Sequence, residues 1–454
     1  MTLTPPGYRP RTVDGQIEAL LRSYGAVCIE GTKFCGKTWT SMNHASSMYA
    51  LDDPRSDYRN YRLASADLDY ALSGEAPRLV DEWQMIPGIW DGVRRSVDAA
   101  GGKGMYILSG SSVPEDPADG IVPHSGIGRI ATVRMRTMSL FESGDSDGSV
   151  SLRGLFGGGF KGTPVRENRI EDLARLTVRG GWPANVSPAE DGSPIVMHRY
   201  VEELCERDVP RVDRSKNPSR MKRLIRSLAR NEATLASASK LSRDMLENED
   251  DEMKSSTVSD YLDVLDRMFL IENQPAFSPN ARSSVKVGRA PKRHLADPAI
   301  AASALGLDEK GLLEDLETFG FLFEALCERD LQVYAQAMGG SLMHYRDDKG
   351  REVDAVVELP DGRWGAFEIK LGTGRIDQAA EGLLRVSDAM EDVLRSRRPE
   401  FMCVLSGTEG AAYRREDGVY VVPITSLRDR GRGGRIWHIL LGTQWEAPGS
   451  PGSA

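Results

Sequence analysis

The sequence predicts an α/β protein in three parts: a parallel sheet with covering helices, a helical region, and a second, smaller α/β unit. Three observations predict it. Short apolar runs alternate with helical stretches over residues 1–145, the pattern of βαβ units. In the first of those units, Gly31-Thr32-Lys33-Phe34-Cys35-Gly36-Lys37-Thr38 satisfies GxxxxGK(S/T) at every defined position. From Gly320 onward a strand-rich pattern returns, interrupted by one helix.

Taken in order, the expected strands of the first part are Ala26–Glu30, Tyr61–Ser65, Arg78–Asp81, Met105–Ser109 and Ile130–Arg136. Residues 143–165, rich in Gly, Ser and Asp, read as a linker. Residues 166–218 read as a helical segment, cut into short helices by Pro183, Pro194, Pro210 and Pro218. Residues 219–300 carry a winged-helix pattern, with a plain helical bundle as the alternative. Its helices are Met221–Ala229, Ala238–Met245 and Val258–Met268, and its wing strands Phe269–Ile271 and Ser284–Val287. Residues 301–440 hold the second α/β unit. Helix Phe321–Tyr334 leads into strands Leu342–Tyr345, Glu352–Leu359 and Trp364–Leu371. Helix Gln378–Ser396 then separates these from strands Phe401–Leu405 and Val419–Val422. The Pro/Gly/Ser-rich end, 447–454, reads as a disordered tail.

Composition bounds the function. Hydrophobic content of 40% and charged content of 28% are those of a globular protein. No apolar run reaches the ~20 residues of a membrane span, and the first residues lack the basic and apolar regions of a signal peptide. Cys28, Cys35, Cys205, Cys327 and Cys403 are scattered and form no CxxC pair, which argues for reduced thiols in a cytoplasm and against a zinc site. A net charge of −9 excludes a generic polyanion binder. Basic residues are clustered, however. Arg211, Arg214, Lys216, Arg220, Lys222, Arg223, Arg226 and Arg230 face one acid, Asp213, so any DNA binding is a local patch. A second cluster holds Arg282, Lys286, Arg289, Lys292 and Arg293.

The glycine loop explains itself chemically. Between a buried strand and a helix start, Gly31 and Gly36 let backbone N–H groups close around phosphates as an anion nest, backed by the helix dipole. Lys37 would reach the β- and γ-phosphates of ATP, and the Thr38 hydroxyl would hold Mg²⁺. The apolar strand Arg78-Leu79-Val80 delivers Asp81 and Glu82 at its end, Asp81 for the Mg²⁺ and Glu82 to polarise a hydrolytic water. Ser109 or Ser111, at the end of the next strand, suits a γ-phosphate sensor. Arg129, before the strand after that, is a candidate arginine finger acting in cis or on a neighbouring subunit.

At the other end, the alternation over Arg351–Leu371 reads as a hairpin turning at Asp361. That turn sets Asp354 opposite Glu368 and Glu352 opposite Lys370, all on one face. Two opposed acids call for a counter-ion. A divalent metal held by Asp354 and Glu368, with Lys370 positioning a water and Glu324 as a further ligand, is the Asp…Glu-x-Lys arrangement of Mg²⁺-dependent nucleases. A solvated face with surface ion pairs is the plainer alternative.

With these residues in view, the chain resembles prokaryotic AAA-type ATP-binding proteins that carry a C-terminal domain of unknown function. The matching stretches are the glycine loop, Leu79-Val80-Asp81-Glu82-Trp83-Gln84, Leu108-Ser109-Gly110-Ser111-Ser112, and Gly128-Arg129 with Met138-Ser139-Leu140-Phe141-Glu142. Further on come Gly180-Gly181-Trp182-Pro183, Thr257-Val258-Ser259-Asp260-Tyr261-Leu262 and His294-Leu295-Ala296-Asp297-Pro298, then Glu352-Val353-Asp354 and Glu368-Ile369-Lys370. The resemblance spans residues 8–425 and implies a P-loop NTPase sheet, a winged helix and a restriction-endonuclease-like core. The loop interior, Thr32-Lys33-Phe34-Cys35, departs from the Pro-Arg-Gln-Val usual in that family.

Three functions compete on these grounds. The first is a cytoplasmic, Mg²⁺-dependent ATPase switch whose likeliest partner is DNA, held at the Arg211–Arg230 cluster and the winged helix. The second is an ATP-gated nuclease using Asp354, Glu368 and Lys370. The third is a nucleotide-dependent scaffold that binds a protein partner or further copies of itself.

Overall fold

The computed structural model describes residues 2–114, 125–186, 193–245, 254–278, 291–347, 349–394 and 398–429. In its first part, β1 (Ala26–Glu30), β2 (Ser47–Ala50), β3 (Arg78–Asp81), β4 (Tyr106–Gly110) and β5 (Ile130–Arg134) form an all-parallel sheet in the order β2-β3-β4-β1-β5. β1 is an interior strand, between β4 and β5, and is covered on both faces, which is why its run Ala-Val-Cys-Ile is apolar throughout. Ala26 and Cys28 pack with Val80, Leu108 and the helix Gly88–Ala100 on one side, while Val27 and Ile29 pack with Ile17, Leu79 and Ile107 on the other. Because every strand runs the same way, the residues that follow β1, β3 and β4 meet at one edge, where ligands bind in open parallel sheets.

The second strand is not where the sequence suggested. Residues 61–65 lie in the helix Arg55–Ala66, and the edge strand is β2. That strand is only four residues long and half-buried, too short and too weakly apolar to stand out in sequence.

Residues 143–165 are not a linker. β6 (Val150–Ser151) pairs with β16 (Leu427–Arg428), and β7 (Thr163–Pro164) pairs with β14 (Ala411–Arg414). Leu152, Leu155 and Phe156 are buried, with Phe156 edge-on to Phe401 at 4.9 Å. Glycine and serine richness concealed a few apolar anchors whose partners lie over 200 residues away in sequence. The expected tail, 447–454, and the wing strand Ser284–Val287 lie outside the described residues.

The middle region holds helices Ile170–Arg179, Ser193–Glu203, Pro218–Arg230, Ala238–Asp244 and Ser255–Arg267. An antiparallel hairpin of β8 (Ile271–Gln274) and β9 (Lys292–Leu295) follows. The third helix of the expected winged helix exposes Ser256, Ser259, Asp260, Asp263 and Asp266.

The C-terminal unit starts with the long helix Leu316–Ala337. An antiparallel meander of β10 (Ser341–Arg346), β11 (Glu352–Glu358) and β12 (Trp364–Lys370) follows, then the helix Ile376–Leu394 and β13 (Phe401–Ser406), parallel to β12. β14 and β15 (Tyr420–Pro423) extend the sheet, in the order β10-β11-β12-β13-β15-β14-β7. Ala355 lies opposite Phe367 and Val357 opposite Gly365, the register expected of a turn at Asp361.

One apolar core joins the middle and C-terminal regions, running from Leu173, Leu224 and Leu265 through Phe323 and Leu326 to Phe367 and Leu405. A buried polar knot ties both to the first part. Asp297 accepts hydrogen bonds from Thr137 Oγ1 (2.7 Å), the Gly181 N–H (3.0 Å) and Arg329 Nη1 (2.9 Å). Asp330 accepts from the Leu140 N–H (2.9 Å) and from Arg329. Among the described residues, no helix is long and apolar enough to cross a membrane.

Candidate functional site

The glycine loop follows β1 and ends in the helix Lys37–His44. A Cβ on Gly31 would stand 2.1 Å from the Met135 carbonyl oxygen, and Gly36 has φ 105°, so neither position admits a side chain without strain. Lys37 Nζ donates to the Thr32 carbonyl at 2.9 Å, so its ammonium lies inside the loop. Thr38 Oγ1 donates to Asp81 Oδ1 at 3.3 Å, and Ser109 Oγ donates to the same oxygen. A hydroxyl and a carboxylate side by side are a donor set that suits Mg²⁺. Burial pushes the Asp81 carboxyl up to about 6, against the hydrogen bond from Ser109 and with help from the nearby Glu82 charge.

Glu82 occupies the left-handed region at φ 54°, ψ 42°, a conformation that costs ~1–3 kcal/mol for a residue with a side chain. Its carboxylate accepts hydrogen bonds from Gln84 Nε2 and from Ser111 Oγ (3.1 Å). Glu82 is thereby aimed and held beside Asp81. The two serines left open in sequence divide the work, Ser109 on Asp81 and Ser111 on Glu82.

Arg129 does not join this group. It precedes β5, at the opposite edge of the sheet from the glycine loop, and its Nε pairs with Asp98 Oδ1 at 2.7 Å. The five residues of β1 separate the two edges by ~16 Å. A role in cis is therefore lost, for a reason visible in sequence: in a parallel sheet, a residue before a strand lies far from the loop that follows its neighbour.

Residues missed in the sequence brace the loop from outside. Arg11 donates to the Cys35 carbonyl (2.9 Å) and pairs with Glu142 (3.2 Å), both side chains buried. From the middle region, Tyr200 shares a hydrogen bond with Thr32 (2.9 Å), Trp182 Nε1 donates to the Lys33 carbonyl (3.1 Å), and Asp208 pairs with Lys33 (2.8 Å). Of these, Glu142 and Trp182 lie in stretches marked by the sequence, while Arg11, Tyr200 and Asp208 do not.

The C-terminal carboxylates form a second cluster. Lys370 Nζ lies 2.9 Å from Glu368 Oε1 and 3.6 Å from Asp354 Oδ2, and the Ile369 N–H donates to Asp354 Oδ2 at 2.8 Å. Burial, then the Asp354 charge, push Glu368 up to about 7. Glu324, raised well above the usual carboxylate range by burial, pairs with Lys292. Lys292 also pairs with Glu328 at 2.9 Å. Asp354, Glu368 and Lys370 are thus gathered as expected, but the neighbour of Glu324 is a lysine from the β8–β9 hairpin. Among the described residues, no three His, Cys, Asp or Glu side chains converge on a point suited to a metal ion.

Comparison with known proteins adds family context for the rest of the chain. Residues 170–311 match a family model described as a domain of unknown function (DUF8612), and residues 319–427 match a second, also a domain of unknown function (DUF4143). No curated protein matches. Among solved structures, a Walker-type ATPase of Pyrococcus abyssi is similar at 13% identity and a TM-score of 0.41, covering 67% of this chain and 97% of that one.

On the basic cluster, Arg214, Arg220, Arg226 and Arg230 are exposed and make no ion pair with a described residue. Lys216 and Lys222 are neutralised by Asp213 (3.1 Å) and Glu206 (2.7 Å).

Proposed function

We propose that the chain is an Mg²⁺-dependent ATPase whose first part acts as a switch on a DNA-facing remainder. The observation that carries this reading is the convergence of Lys37, Thr38, Asp81, Ser109 and a strained, hydrogen-bonded Glu82 at one edge of a parallel sheet. In that reading the loop N–H groups and Lys37 bind the phosphates of ATP. Thr38 and Asp81 would hold Mg²⁺, which supplies charge neutralisation at the transferred phosphate. Glu82 takes the proton-accepting role toward the attacking water, and Ser111 and Gln84 keep it oriented. Tyr200, Trp182 and Asp208 connect the loop to the middle region, so loop occupancy is felt there.

Phosphate contacts from Arg214, Arg220, Arg226 and Arg230 would hold DNA without reading sequence. The acidic face of the helix Ser255–Arg267 disfavours it as a groove-reading element, which leaves the expected DNA contact to the basic cluster on the helix Pro218–Arg230. Steady-state ATP turnover tests the ATPase reading. Wild-type protein should hydrolyse ATP with Mg²⁺, Glu82→Gln should lose turnover ~10²-fold or more, and equal rates would remove Glu82 from the mechanism.

A second reading is a restriction-endonuclease-like nuclease in the C-terminal unit. The helix–meander–helix–strand order of residues 316–406 favours it, with Asp354, Glu368 and Lys370 together on β11 and β12. Incubating plasmid and single-stranded DNA with Mg²⁺ or Mn²⁺, with and without ATP, tests it. Uncut DNA in every condition would reject it.

A further inference from the structure

We propose that Lys292 is the built-in cation of the C-terminal carboxylate cluster, closing it to divalent metal while the β8–β9 hairpin stays docked. The inference rests on the nuclease-like reading of that cluster and adds its regulation.

The geometry is specific. Lys292 Nζ pairs with Glu324 and, at 2.9 Å, with Glu328, and it lies 3.5 Å from the Asp354 carbonyl. Its side chain is 8% exposed, so the ammonium is sealed among these oxygens. An ammonium and a divalent ion compete for the same carboxylate oxygens, and Glu324 cannot serve both at once. Removing Lys292 leaves Lys370 on Asp354 and Glu368, so the Asp–Glu–Lys set survives intact.

Lys292 arrives from outside the C-terminal sheet. It sits on β9, opposite Gln274 of β8. Glu272, two residues earlier on β8, pairs with Arg134 (3.3 Å) and Arg136 (3.0 Å). Arg134 ends β5 directly beside Glu30, the residue before Gly31. A short path thus runs from the glycine loop through Arg134 and Glu272 to the hairpin and Lys292. Movement of the hairpin withdraws Lys292, and with it His294, which lies 3.1 Å from Glu328, and so frees the Glu324 and Glu328 carboxylates beside Asp354.

Mn²⁺ titration of the full chain without nucleotide, followed by electron paramagnetic resonance, tests this. Asp354→Ala in each background isolates binding at the cluster. Lys292→Met should bind Mn²⁺ at the cluster at least tenfold more tightly than wild type. Equal Asp354-dependent affinity in the two proteins would overturn the proposal and leave the nuclease reading standing. No Asp354-dependent binding in either would reject a metal at the cluster, and with it both ideas. Glu272→Gln loosens the hairpin and leaves the cluster intact, so it decides the matter if Lys292→Met does not fold. It should tighten Asp354-dependent Mn²⁺ binding severalfold, and an unchanged affinity would contradict the hairpin's part.

Discussion

Thr38 donates its hydroxyl hydrogen bond to Asp81 across 3.3 Å, joining the first turn of the glycine-loop helix to the end of β3. Forty-three residues apart in sequence, the two meet only because β1 and β3 run parallel in one sheet and release their loops at the same edge. From that relationship the chemistry of the edge follows.

Asp81 is buried and its carboxyl is raised from 3.8 to about 6, so keeping it ionised at neutral pH costs about 3 kcal/mol. Its folded value lies above its unfolded one. The cost is therefore absent below pH 4, grows as pH rises from 4 to about 6, and is fully present above that. Asp81→Asn should stabilise the nucleotide-free protein by about 1–3 kcal/mol at pH 7.5 and abolish the Mg²⁺ dependence of ATP binding. Thermal melts with and without Mg²⁺·ATP check both. In the wild type, Mg²⁺·ATP affinity should climb between pH 5 and 7, and a flat profile would argue against Asp81 as the metal ligand.

Arg129 lies at the wrong edge for work in cis and is neutralised by Asp98. Arg129→Ala should keep ATP turnover within twofold of wild type at protein concentrations too low for self-association. A large loss under those conditions would contradict its placement.

Arg220, Arg226 and Arg230 are exposed on one helix and free of ion pairs with described residues. Changing all three to alanine should lower the slope of log affinity for DNA against log salt by ~2–3, since each phosphate contact contributes ~0.9. Filter binding across salt concentrations measures it. An unchanged slope would place the DNA contact elsewhere.

Arg329 holds Asp297 and Asp330 at the junction of the first part with the rest, and all three side chains are nearly inaccessible. Arg329→Ala leaves two buried acids without their cation and should cost about 3–5 kcal/mol. Because Thr137, Leu140 and Gly181 bond to the same acids, the loss should also separate the unfolding of the first part from that of the remainder. Calorimetry distinguishes one transition from two.

What was legible in the sequence was local. The glycine loop, the acids at the end of β3 and the register of the β11–β12 hairpin follow from spacing and from a period of two, which need no distant partner. What escaped depended on distance. Val150 is a strand residue only because Leu427 lies beside it, and Lys292 looked like one more basic surface residue until Glu324 and Glu328 closed around it. Spacing alone marks Glu324 as a metal ligand and gives no sign of its lysine partner, which arrives from another element. Tyr200 and Asp208 carry no motif, and only the fold shows that they grip the loop at Thr32 and Lys33.

The central claim is that the loop from Gly31 to Thr38 binds ATP through Lys37. Titration calorimetry of the full chain with Mg²⁺·ATP, wild type against Lys37→Ala, tests it most directly. A saturable, single-site isotherm in the wild type that weakens at least a hundredfold in the variant is the predicted result. Equal affinity in the two proteins, or no binding by a folded wild type, would contradict it.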